Sequence, residues 1–291
     1  MNTKLTKSEP DDDQLGMDYD RQSTHQLSYQ LAGDVAAATA SAVVVAPAVT
    51  IIDRALVEKA SCNWPLLRGL KAHFLDSLQR PGRFVFSKPF GLIWSLYAAT
   101  YVVANGVDTI TKHTIPASPT REPIVFASTF AVNVPLGVWK DIRFAELFSN
   151  CSKGAVDSLR RSSPRAVSGA ATAIFLFRDG ITISGSFTLP PHCAKAIPES
   201  LAHDAHTRTV ITQITVPVLS QLMASPVHLL GLDLYNRPHV ASLKDRVVFM
   251  RQNLPSATVV RCARIVPAFG FGCLANMELR EYFHSRFRLE A

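Results

Sequence analysis

Thr209–Leu232, TVITQITVPVLSQLMASPVHLLGL, runs for 24 residues without an Asp, Glu, Lys or Arg. An α-helix rises about 1.5 Å per residue, so this stretch alone reaches across a hydrocarbon core of ~30 Å. Working outward, Val35–Ile52 is charge-free over 18 residues, Pro89–Val107 over 19 and Ile124–Trp139 over 16. Ala166–Ala194 is apolar apart from Arg178 and Asp179. Ile265–Met277 reaches spanning length only with the Arg261–Arg264 region in front of it. Six segments result, and they predict an all-α membrane protein with six transmembrane helices. The competing reading is a soluble α-helical protein with buried core helices. These runs, however, are apolar nearly all round, and Gly33–Ala48 holds seven alanines, small residues that let membrane helices approach closely.

Composition narrows the class. The 291 residues are 47% hydrophobic and 18% charged, below the ~25% charged usual for soluble chains. That apolar content excludes extensive disorder. Five scattered cysteines, Cys62, Cys151, Cys193, Cys262 and Cys273, exclude a disulfide scaffold.

The net charge of +7 is informative only once it is located. Residues 53–88 hold seven Lys/Arg against three Asp/Glu, residues 140–165 six against three, and residues 233–264 six against two. On the opposite side, residues 1–33 carry −3, while residues 108–123, residues 190–208 and the tail from Glu278 each balance to zero. Alternate loops therefore differ in net charge, basic against neutral, which a soluble bundle has no reason to arrange and membrane insertion does. Both termini fall on the less positive side. The basic loops suit anionic lipid head groups or anionic solutes. A nucleic-acid partner is not expected, because the cations are spread over three loops without a recognition motif.

Three prolines sit late in the odd segments, Pro47, Pro135 and Pro226, and glycines follow in phase at Gly91, Gly180 and Gly270. Proline within a helix frees a carbonyl and favours a kink. The pattern predicts three helix–loop–helix units around a pseudo-threefold axis: residues 27–112, 113–207 and 208–291, after an acidic, disordered tail over 1–26. Three repeats, six spans, these prolines and basic loops together resemble the mitochondrial carrier family, and PLLRGL at Pro65–Leu70 looks like that family's loop after its first helix. That family places an acidic residue two positions after each proline and a basic one five after. Here only Lys140, after Pro135, matches. The resemblance implies a carrier-like bundle, with Pro47, Pro135, Pro226 and Lys140 as kink or gate positions. It also implies a multi-pass protein of a mitochondrial membrane, inner rather than outer.

Arg178-Asp179 is the most informative pair for function. Ionised groups within a span are expensive and usually face a wet cavity or one another. Arg178 suits a carboxylate and Asp179 an ammonium group, which points to a small anionic or zwitterionic solute. The alternative is that the two simply neutralise each other. His228 is a further cavity candidate, while Asp34 reads as a favourable charge near the start of the first helix. His203, Asp204 and His206 have a spacing that permits a metal in principle, but loop histidines of this kind are usually solvated. No C-x-x-C, phosphate loop or hydrolase motif is present, so neither a metal, a cofactor nor an enzymatic activity is expected. Two functional readings remain: a transporter of a small metabolite, and a carrier-fold scaffold or adaptor that binds a protein partner and moves nothing.

Overall fold

The computed structural model describes residues 12–62, 64–115, 119–148, 169–236 and 242–289. Among them the chain is all helical, with eight helices and no strand. The helices are α1 (Asp12–Cys62), α2 (Leu66–Gln79), α3 (Pro81–Val85), α4 (Lys88–Thr114) and α5 (Arg121–Phe148). Next, α6 runs over Gly169–Ile183, a π-helical turn Ser184–Thr188, and Leu189–Ala196. Helix α7 is Ala205–Asn236, and α8 runs over Leu243–Ile265, a π-helical stretch Val266–Phe271, and Gly272–Leu289. The first eleven residues of the acidic tail lie outside the described residues, and α1 begins at Asp12.

The six predicted segments fall on α1, α4, α5, α6, α7 and α8. Each of these helices packs on the next in chain order, and α8 returns to α1, so the six form a closed ring. Helices α2 and α3 fill the first basic connection. Four helices contain stretches long and apolar enough to cross a membrane: Thr24–Glu58, Lys88–Thr114, Ala205–Gly231 and Lys244–Arg286. The interior mixes an apolar cluster around Phe90, Ile93, Tyr97 and Phe144 with many buried polar groups, while large apolar side chains face outward. Val44, Leu222 and Met223 are 60, 57 and 67% exposed, while Asp34, Thr100 and Gln221 are fully buried. Apolar side chains facing out and polar ones facing in are what a lipid solvent selects.

Local chemistry explains several helix features. Ser87 and Ser242 cap α4 and α8, the latter through a reciprocal capping box with Asp245. Asp204 accepts from the backbone N–H of Thr207 at 3.0 Å at the start of α7, and this bond holds its carboxyl below the usual range. The π-helical stretches leave carbonyls without their usual donors, which would be costly away from water. Side chains supply them. Gln213 Nε2 donates to Ser186 O (2.9 Å) and Phe269 O (3.0 Å), and the Tyr101 hydroxyl donates to Ala268 O (2.7 Å).

Pro47, Pro135 and Pro226 lie inside α1, α5 and α7, as do Pro217 in α7 and Pro255 in α8. The in-phase glycines are not the tight contacts of the bundle: a Cβ at Gly91 or Gly180 would meet open space, and one at Gly270 only ordinary contact. The close approaches are elsewhere, Gly185 on Ser220, Gly231 on Phe175, and Gly272 on Tyr101 and Val45. Tyr101 is fully buried and held by its hydrogen bond, so it cannot swing aside. Gly272→Ala should therefore destabilise by about 1–3 kcal/mol through overpacking, whereas Gly91→Ala should not. Melting curves of the two purified variants test this, and equal midpoints would contradict it.

Candidate functional site

Between the ends of the ring lies a cavity of about 120 Å³. It is lined by Tyr97 from α4, Asn133 and Asp141 from α5, Arg178, Asp179 and Thr182 from α6, Gln221 from α7, and Arg261, Arg264 and Phe269 from α8, with smaller apolar residues between them. It thus gathers three guanidinium groups, two carboxylates and two neutral amides. Arg178-Asp179, singled out in the sequence, is part of this lining.

The three arginines are differently committed. Arg178 Nη2 is 2.6 Å from Asp179 Oδ1, its Nη1 donates to His228 Nδ1 at 3.2 Å, and its guanidinium lies 5.6 Å from the Phe175 ring. Arg178 Nε is buried and has no partner among the described residues. His228 stands behind Arg178 rather than in the cavity wall, orienting it. Arg264 Nε is 3.1 Å from Asp53 Oδ1. Arg261 differs from both. Its Nε donates to Gln221 Oε1 at 3.1 Å and its Nη2 reaches Thr182 Oγ1 at 3.5 Å, both neutral acceptors. A half-buried cation satisfied only by neutral oxygens keeps its capacity for a carboxylate.

Ionic networks close in on the cavity from both ends. At the basic end, Lys140 is 1% exposed, with Nζ 2.6 Å from Asp53 Oδ2 and 2.5 Å from Asp141 Oδ1, linking α5 to α1. Asp233 Oδ2 and Arg246 Nη1 add a 2.5 Å pair between α7 and α8. At the other end, Asp34 is fully buried and receives Arg280 Nε (2.6 Å), His284 Nε2 (2.8 Å) and the Thr109 hydroxyl. Arg280 Nη1 also donates to Asp108 Oδ2 at 2.7 Å, and Asn105 and Asn276 exchange amide bonds beneath it. An aromatic plug separates this network from the cavity. Ring centroids are 6.2 Å apart for Tyr101–Phe187, 5.6 Å for Phe187–Phe269 and 5.6 Å for Tyr97–Phe269.

Several of these residues escape a reading by sequence. Asp34 looks like a charge near a helix start, yet α1 begins at Asp12 and makes it an interior hub. Asp53 stands six positions after Pro47, out of step with the spacing sought, yet α1 continues through it to Cys62 and presents it to Lys140. Arg261 is counted with a basic loop, but α8 already runs as helix from Leu243. Nor does the loop trio form a metal site: Asp204 caps α7, His206 pairs with Glu278, and no group of three His, Cys, Asp or Glu fit for a metal exists among the described residues.

A family model described as probable citrulline exporter matches residues 36–284, which includes the whole cavity lining and most of the ring. The chain belongs to that family. No curated protein and no solved structure matches it. Membership, with the apolar helices, makes this a multi-pass membrane protein of a transporter family. It also corrects the resemblance drawn from the sequence: the matching family is the citrulline exporters, not the mitochondrial carriers. The prolines and alternating basic loops that suggested carriers do not single out that family, whose charge motif is met only at Lys140. A mitochondrial location rested on that resemblance and loses its support with it.

Proposed function

We propose that this protein moves a small neutral α-amino acid, citrulline or a close analogue, across a membrane through the cavity around Arg178 and Arg261. In this reading α5 and α6 also cross the bilayer, giving six spans, and Arg178-Asp179 and the three prolines keep the substrate and hinge roles expected from the sequence. The observation that carries it is the charge arrangement of the lining. Arg261, bonded only to Gln221 and Thr182, is the seat for the substrate carboxylate. Asp179 and Asp141 can receive the ammonium group, and Asn133 and Gln221 are suited to a ureido end, which both donates and accepts. Three guanidinium groups against two carboxylates repel a cationic side chain. The protein performs no chemistry on its cargo, and no cofactor is invoked. The charged, polar lining of the cavity is what supports transport over a scaffold role.

Competition in proteoliposomes tests the assignment. Unlabelled citrulline should inhibit uptake of labelled citrulline, and its carboxamide, which lacks the carboxylate, should compete about tenfold or more weakly, as expected for loss of one charge-assisted hydrogen bond. Ornithine and arginine should also compete poorly. Equal competition by the carboxamide would remove Arg261 from the role of carboxylate seat.

A further inference from the structure

At the rim near Asp34, six seams separate neighbouring helices of the ring. Two of them, α4–α5 and α6–α7, are crossed there by the connecting chain. The other four have no covalent link on this side, and each is closed by a histidine. His113 Nε2 meets Gln30 Oε1 at 2.7 Å between α4 and α1. His192 Nε2 lies 3.3 Å from Glu122 Oε2 between α6 and α5. His206 Nε2 lies 2.6 Å from Glu278 Oε1 between α7 and α8. His284 Nε2 lies 2.8 Å from Asp34 Oδ1 between α8 and α1.

We propose that these histidines form a pH-sensitive latch on the closed face of the transporter, holding the unlinked seams shut when protonated and releasing them when neutral. Three of the four face carboxylates. In the closed rim His192, His206 and His284 each stand within 3.3 Å of a carboxylate, and Glu278 favours the protonated form of His206, an attraction that separation of the helices would take away. Linkage fixes the sign: the closed rim binds protons more tightly than the open one, so acid favours closure and rising pH favours opening. The surrounding charges agree. His206 faces Glu278 and Glu281 of α8 as well as Asp204 in its own connection. His284 shares Asp34 with Arg280, whose own charge is taken up by Asp34 and Asp108 together. Glu122 is the charged partner of His192, while His113 faces the neutral Gln30 and neighbours Lys112 on its own helix, so it contributes a hydrogen bond rather than an ion pair. Imidazole changes charge between about pH 5 and 8, the range over which such a latch would work. The same loop residues that resemble a metal motif in the sequence thus acquire a different use.

The native thiol of Cys273 provides a reporter. It is 5% exposed and lies on α8 between the aromatic plug and the rim network. In the full chain with the other four cysteines replaced by serine, the rate of maleimide labelling at Cys273 is compared with and without His192→Gln/His206→Gln. Taking the ratio at each pH cancels the ionisation of the thiol itself. Because both ion pairs are more than half exposed and each is worth little, the ratio should rise by only about three- to tenfold between pH 8 and pH 5.5. Glu122→Gln/Glu278→Gln, which keeps the histidines but removes their partners, should give the same rise. A ratio that stays flat, or increases toward alkali, in either variant would overturn the latch. The measurement needs no substrate, so it stands apart from the identity of the cargo.

Discussion

Arg261→Gln should slow citrulline exchange by about 10- to 100-fold while leaving the protein folded. The substitution keeps an amide that can still bond Gln221 and Thr182, but it removes the guanidinium that is not held by a carboxylate. A hydrogen bond to a charged group is worth about 1.5–3 kcal/mol, which sets that range. Arg178→Ala should also abolish uptake, for a different reason. Arg178 keeps Asp179 and His228 in place, and its loss leaves Asp179 without its cation. The two variants are separable with the carboxamide analogue: Arg261→Gln should no longer distinguish it from citrulline. Full exchange activity in Arg261→Gln would remove this residue from the site.

Lys140→Met should produce the largest loss of stability. Lys140 is essentially inaccessible and bridges the buried Asp53 and the exposed Asp141, so removing it strands the Asp53 carboxylate. Breaking one member of a buried pair costs about 3–5 kcal/mol, and the remaining contact of Asp53 with Arg264 places this case toward the lower end. Replacing both members, as in Lys140→Met with Asp53→Leu, should recover only part of the melting temperature, because the buried carboxylate is gone but Arg264 then loses its partner. A single Lys140→Met variant that melts like the parent would show that the α1–α5 bridge carries no weight.

The long helices are legible in the sequence because charge is expensive in hydrocarbon. Charge-free runs mark them, and four contain stretches long and apolar enough to cross a membrane among the described residues. Arg178-Asp179 is visible for the same reason, being an exception to the rule. The rest of the site is hidden by the same reasoning. Arg261 and Arg264 lie where an apolar count ends, so they join a loop tally although the helix has begun about five turns before them, at Leu243. Asp34 and Asp53 flank a charge-free run and look like boundary residues, while their partners, Arg280 and Lys140, are hundreds or tens of positions away. Contacts of that separation follow from closure of the ring, which no local pattern records. The glycines show the same limit. Their phase is visible, but whether a neighbour stands within reach of a Cβ depends on helix rotation, and it selects Gly185 and Gly272 rather than Gly91 and Gly180.

In the proposed function, the cavity between the two ionic networks is a route for a zwitterionic solute. Counterflow in proteoliposomes tests it most directly: purified protein, unlabelled citrulline inside, labelled citrulline outside, with Arg178→Ala/Arg261→Gln as the matched control. The account predicts transient accumulation of label with the parent protein and none above protein-free vesicles with the double variant. Accumulation by both proteins alike, or by neither, would contradict it.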